Sequence, residues 1–195
     1  FVITIAVPQF VSLLLMRNFL NDHGPLNGLL QTLHITNGPI PFLTDPLWAK
    51  LSIIFVNMWI GIPFTMLVAT GIIMNLPTEQ IEAAEIDGAS KFQIFKSITF
   101  PQILLIMAPS LIQQFIGNIN NFNVIYFLTG GGPTNSEYYQ AGSTDLLVTW
   151  LYKLTVSAKD YNLASVIGIL IFAISATFSL LAYTRSSSFK EGAAK

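Results

Sequence analysis

Residues 81–101 read IEAAEIDGASKFQIFKSITFP, and the polar half of that stretch stands out against everything around it. The chain has nine Lys and Arg and ten Asp and Glu in 195 residues. Six of these nineteen, Glu79, Glu82, Glu85, Asp87, Lys91 and Lys96, fall between Leu76 and Pro101. Glu79 and Glu82 occupy the early turns of a predicted helix, where the helix dipole favours acids, and Gly88 is placed to end it in a left-handed conformation. Ser90-Lys91-Phe92-Gln93 then has the Ser-x-x-Gln form of a capping box, with Phe92, Phe95 and Ile98 three apart on one face. The pattern predicts a helix–Gly–helix elbow between two apolar segments, a surface suited to a soluble partner.

Outward from the elbow the chain reads as membrane. It is 52% hydrophobic and only 10% charged, whereas ordinary soluble domains carry about a quarter charged residues. Three stretches, 51–78, 97–136 and 161–184, contain no Asp, Glu, Lys or Arg. Each exceeds the roughly 20 residues needed to cross the hydrocarbon core. The predicted spans are 1–19, 47–74, 101–128 and 161–184, with an elbow loop at 76–100 and outer loops at 20–46 and 129–160. Pro63 and Pro109 lie inside spans, where neighbouring helices must re-satisfy the freed backbone.

The chain opens at Phe1 in mid-pattern, which reads as the C-terminal part of a longer protein. With the elbow and tail inside, five Lys and Arg (Lys91, Lys96, Arg185, Lys190, Lys195) lie there, against Arg17, Lys50, Lys153 and Lys159 in the longer loops opposite. That is the sign the positive-inside rule expects, so the elbow is assigned to the cytoplasm. The absence of Cys excludes disulfides and thiol chemistry, and a formal net charge of −1 gives no reason to expect nucleic acid.

Little in the chain supports catalysis. His23 and His34 both lie in the first outer loop without a paired carboxylate, and read as ordinary surface residues. Gly130-Gly131-Gly132-Pro133 lacks the following Lys-Ser or Lys-Thr of a phosphate cradle and reads as a turn. No Asp, Glu or His is placed within the spans, as a proton-relay carrier would need. No metal or cofactor is expected, and the chain is not read as an enzyme. Residues 144–154 put Leu147, Trp150, Leu151 and Leu154 on one face, which fits an interfacial or re-entrant helix. Ala164, Ser165, Gly168, Ala173, Ser175 and Ala176 would let the last span approach its neighbours closely.

Two polar stripes cross the apolar spans. Gln114, Asn118 and Asn121 lie at i, i+4 and i+7 with Gly117 beside them, and Asn57, Gly61 and Phe64 repeat that spacing in the second span, with Trp59 and Ile60 adjacent. Carboxamides donate and accept, glycines leave volume, and aromatic faces stack on sugar rings, so the stripes can form a neutral polyol site. They can equally hydrogen-bond helix to helix, and Asn120 and Asn123, off the main stripe, are assigned to helix-to-helix bonding or to contact with the outer mouth. Trp59 and Trp150 can serve as interfacial anchors.

Glu82-Ala83-Ala84, Asp87-Gly88-Ala89 and Ile98-Thr99-Phe100-Pro101 resemble the EAA loop of permease subunits of binding-protein-dependent ABC importers. With Asn118-Ile119-Asn120-Asn121-Phe122, Thr129-Gly130-Gly131-Gly132-Pro133, Ala141-Gly142-Ser143-Thr144-Asp145 and the basic tail, the chain is similar to MalF-type permeases of maltose and maltodextrin importers. The resemblance implies an all-α, multi-spanning, MetI-like helical bundle in the bacterial inner membrane with a cytoplasmic coupling helix. Glu82, Ala83, Ala84, Asp87 and Gly88 would dock on an ATPase. Asn57, Ile60, Gly61, Phe64, Gln114, Gly117, Asn118 and Asn121 would contact sugar, which favours the polyol reading of the stripes. Gln114 stands where the family pattern has a small hydroxyl residue and Gly117 where it has an aromatic ring, which leaves the sugar and its length open.

Implied partners are a second, MalG-type permease, two ATP-binding cassette ATPase subunits, an extracytoplasmic sugar-binding protein and membrane lipid. The alternative is a secondary carrier or channel for a neutral polar solute that works without an ATPase. The elbow and the lack of intramembrane charge weigh against it.

Overall fold

The computed structural model describes residues 6–185. Its helices are α1 (Gln9–Phe19), α2 (Pro25–Thr32), α3 (Pro46–Met74), α4 (Thr78–Ile86), α5 (Lys91–Ile119), α6 (Phe122–Leu128), α7 (Leu147–Lys153) and α8 (Tyr161–Arg185). Among the described residues the only extended pairing is a single antiparallel bridge between Thr134 and Gly142. The architecture is all-α. Helices α3, α5 and α8 are long and apolar enough to cross a bilayer. Their backbone groups bond within each helix, which is what hydrocarbon surroundings demand.

Local chemistry sets the helix ends. Asp45 caps α3, its carboxylate accepting from Leu47 N (2.9 Å) and Trp48 N (3.1 Å), with Pro46 at the first helical position. Helix α4 ends in a Schellman arrangement, with Ala89 N donating to Ala84 O and Gly88 N to Glu85 O, both at 3.0 Å. Gly88 has φ +81°, the left-handed region in which any Cβ is strained. The capping box at Ser90 and Gln93 is formed: Ser90 N donates to Gln93 Oε1 (2.8 Å) and Gln93 N to Ser90 Oγ (3.4 Å).

The expected span boundaries change in two places. The second arm of the elbow is not a separate helix before Pro101: α5 runs unbroken from Lys91 through the proline. A π-helical turn, Phe95–Thr99, precedes it, and the wider turn suits a residue that has no N–H to give to the turn before it. The third span, read as 101–128, instead stops at Ile119. Asn120 Nδ2 donates to Ile116 O (3.4 Å), one of the last carbonyls of α5, and Asn118 Nδ2 bonds back to Gln114 O (2.9 Å). Asn121 leaves helical conformation and caps α6, its Oδ1 accepting from Val124 N (3.3 Å). Short side-chain amides compete with the backbone for its own partners, so three of them in four residues end a helix. The loop read as 20–46 also contains α2. Of the predicted first span, residues 1–5 lie outside the described residues.

Among the described residues the core falls into two clusters. Leu13 and Leu20 of the α1 region, Val56 of α3, and Val124 and Leu128 of α6 form one, with Ile60 packed against it. Leu154, Ala164 and Ile167 form the other, where α8 lies on α7 and Gly168 brings the helices close enough to put Leu151 within 3.4 Å of an added Cβ. Much of the rest of α3, α5 and α8 is exposed apolar surface, as lipid-facing spans require.

At the end opposite the elbow a charged clamp joins the Gly-rich turn to α7. Lys153 Nζ bonds Asp145 Oδ2, which also accepts from Gly142 N (2.7 Å), while Asp145 Oδ1 is buried without a partner. Gly131 (φ +81°) lies against this pair, and a Cβ there would overlap the Asp145 carboxylate. The Asp145 side chain is 3% exposed and Lys153 24%. Lys153→Met therefore strands a buried charge. Since the lysine is part-exposed, we expect a loss of about 2–3 kcal/mol, below the 3–5 for a fully buried pair. Thermal unfolding in detergent measures it, and Asp145→Asn combined with Lys153→Met is expected to recover most of the loss.

Candidate functional site

Helices α3 and α5 pack side by side, and their polar stripes meet. Asn57 is the junction. Its Nδ2 donates to Asn118 Oδ1 (2.8 Å), and its Oδ1 accepts from Asn121 Nδ2 (3.0 Å). One carboxamide of α3 thus bridges two on either side of the last turn of α5. Asn118 passes the relay on to Gln114 O through its own amide. Each of these three amides donates one bond along the relay, and carboxamides carry a second N–H and spare lone pairs.

Toward the elbow the seam continues through residues that the stripe spacing did not single out. Thr65, two turns from Asn57, donates to Gln114 Oε1 (2.8 Å), and Gln114 Nε2 donates to Ser110 Oγ (3.3 Å). Thr65 follows Gly61 by four residues and Ser110 precedes Gln114 by four, so helical spacing could have found both. Single hydroxyls, however, are common in spans and carry little signal by themselves.

The open side of the seam is built from the predicted residues. Phe64 is 49% exposed. A Cβ added at Gly61 or Gly117 would meet nothing within 4 Å, so both glycines border open space. Asn57 and Gln114 are half-buried and Asn118 exposed. Ile60 is the exception: it packs toward the Leu13, Val56 and Val124 cluster. The structure therefore brings Asn57, Gln114, Asn118 and Asn121 into one bonded seam, leaves Gly61, Phe64 and Gly117 at its open side, and directs Ile60 inward. Asn120 and Asn123 bond elsewhere, to Ser175 Oγ of α8 (3.0 Å) and Gln9 Oε1 of α1 (3.4 Å).

The seam is electrically neutral. Residues 51–78 and 97–136 contain no Lys, Arg, Asp or Glu. Interhelical hydrogen bonds between such side chains in membranes average about 0.6 kcal/mol, so exchanging an amide partner for a sugar hydroxyl costs little. A site of this kind can hold a polyol weakly and let it go.

At the other end of α5 the elbow is exposed. Glu82, Ala83, Asp87 and Gly88 are exposed and Ala84 half-buried. Ala84, Asp87, Gly88 and Ala89 line one wall of a groove of about 410 Å³, with Gln93, Ile94, Ser97 and Ile98 opposite. Ile86 (86% exposed) and Phe92 (72%) stand out beside it, an apolar fringe around a charged rim. Gln102 Nε2 donates to Gln80 Oε1 and ties α4 back to α5. Elbow and seam thus share one helix of 29 residues, about 43 Å at 1.5 Å per residue.

Long apolar helices, a neutral polar seam between two of them and an exposed elbow at one end define a multi-pass helical membrane component. The chain belongs to the family described as binding-protein-dependent transport system inner membrane component, whose model matches residues 1–188. It is similar to the galactooligosaccharides transport system permease protein GanP of Bacillus subtilis (strain 168), 42% identical over 192 residues that cover 96% of this chain and 45% of GanP. It is also similar to the maltodextrin transport system permease protein MalC of Streptococcus pneumoniae serotype 4, 38% identical over 197 residues that cover 97% of this chain and 45% of MalC. The chain spans about half the length of these curated relatives. Its fold matches the crystal structure of a bacterial ABC transporter involved in the import of the acidic polysaccharide alginate, with a TM-score of 0.81 and 25% identity over 95% of this chain and 63% of that one.

Proposed function

We propose that the chain belongs to a MalF-type permease subunit of an ATP-driven importer and carries its cargo across the inner membrane. The cargo is maltodextrin or a related neutral oligosaccharide. The observation that carries this reading is the uncharged amide seam between α3 and α5, open at Phe64 and Gly117, in a member of a binding-protein-dependent transport family. A neutral cargo also fits the absence of Lys and Arg from 51–90 and 97–136, because a polyanion would call for cations along its path.

The elbow supports ATPase docking on the cytoplasmic side. Ala83 and Ala84 allow close approach, Glu82 offers an acceptor at the rim, and Asp87 and Gly88 set the turn. ATP hydrolysis would then take place on two partner ATPase subunits. A MalG-type second permease would close the open side of the seam, and an extracytoplasmic sugar-binding protein would deliver cargo at the opposite end. ATPase closure would move the elbow as a rigid body, and α5 would carry that motion to Gln114 and Asn118.

Co-purification and transport test this reading. The full permease, expressed with its ATPase and binding protein and reconstituted in proteoliposomes, is expected to take up labelled maltodextrins or galactooligosaccharides and to reject alginate oligomers. Uptake of the acidic oligomers alone, or purification that never retains an ATPase subunit, would overturn it. The bonding of the amides to one another favours a second reading, in which they only join helices. The Asn57 variant discussed below separates the two.

A further inference from the structure

We propose that Thr65 is a positioning residue that sets cargo specificity through Gln114, an inference that rests on the cargo-site reading above. Thr65 lies on α3 four residues beyond Gly61, and its hydroxyl crosses to Gln114 Oε1 of α5 at 2.8 Å. The same hydroxyl is 3.2 Å from Gly61 O, so it is held between its own helix and its neighbour. Gln114 is gripped from the other side by Ser110 Oγ at 3.3 Å. A glutamine has three side-chain torsions, and without such partners its amide would sample many directions. Thr65 and Ser110 remove that freedom and keep the amide at the elbow-side end of the seam.

The consequence is volume. Gly117 lies one turn from Gln114 on α5, and nothing stands within 4 Å of where its Cβ would be. Held against α3 and reaching back toward Ser110, Gln114 stays out of that space. In this account the released amide, the longest of the seam, would turn into it. A pinned glutamine beside an empty glycine therefore leaves room for additional sugar rings, whereas a free one occludes them. Thr65 touches no cargo in this account and acts only through Gln114.

The test uses the assembled transporter with its binding protein, in proteoliposomes, and compares uptake of maltose through maltoheptaose. Thr65→Val keeps the shape and removes the hydroxyl. It is expected to lower maltoheptaose uptake relative to maltose about fivefold, the effect of losing one hydrogen bond. Thr65→Ser, which restores the hydroxyl, is expected to restore the ratio. The binding protein is common to all variants, so a changed ratio belongs to the permease. An unchanged ratio in Thr65→Val, an equal fall for every sugar, or no rescue by serine overturns the inference. Gln114→Ala and Asn118→Ala run beside it. If these alter sugar uptake while Thr65→Val does not, only the role of Thr65 fails; if neither alters it, the cargo site itself fails.

Discussion

Replacing Asn57 by alanine is expected to bring sugar-stimulated ATP hydrolysis down to the unstimulated level while the complex still assembles. One substitution removes both amide bonds that join α3 to the last turn of α5 and to the cap of α6. It leaves the Asn118 acceptor and the Asn121 donor without their partner; exposed Asn118 can bond elsewhere, but for half-buried Asn121 an unmade bond costs about 1–3 kcal/mol. In the cargo reading those groups also lose the third amide that a sugar would share with them. The loss of stimulation should therefore exceed roughly tenfold, given 1.4 kcal/mol per factor of ten. Assembly should survive because Val56 and Ile60 keep α3 packed against the Leu13 and Val124 cluster. Normal stimulation in a complex of lowered melting temperature would identify the amides as helix joints only.

In the importer reading, charge reversal at the elbow, Glu82→Lys, is expected to uncouple transport: uptake falls to background, and the proposed ATPase subunits dissociate more readily in detergent. Glu82 is exposed on α4, on an arm whose end is fixed by the Schellman turn at Gly88 and whose flank is tied to α5 by Gln80 and Gln102. Among the described residues its side chain makes no hydrogen bond or ion pair and it lies outside the spans, so the spans should keep their melting temperature. An interface that loses one charge-assisted contact and gains a like-charge clash is weakened by several kcal/mol. Pull-down of the ATPase and uptake in proteoliposomes read the two halves of the expectation. Wild-type transport by the variant would remove the elbow from the coupling path.

Much of this was legible from the chain. The elbow follows from Gly88, Ser90 and Gln93, because helix caps are formed by residues within a few positions of each other. Helical spacing, which needs only one segment of sequence at a time, singles out Asn57, Gln114, Asn118 and Asn121. The end of α5 at Ile119 departs from the span pattern, which runs on to Leu128. Helical spacing places Asn120 and Asn121 on faces of a helix that their own side chains help to terminate. Hydropathy alone could not reveal it, since Phe122, Val124 and Ile125 keep the stretch apolar beyond the break.

The sequence by itself determined that this is a membrane chain, where its polar elbow lies and which amides interrupt its spans. Composition, charge placement and caps are local properties, independent of how helices are arranged. The tertiary structure alone decided which amides meet. Asn57 reaches Asn118 across 61 positions of sequence and Thr65 reaches Gln114 across 49. Those pairings depend on the register and rotation of α3 against α5. Packing sets both: the same rotation that turns Ile60 into the core leaves Phe64 and the two glycines on the open side of the seam.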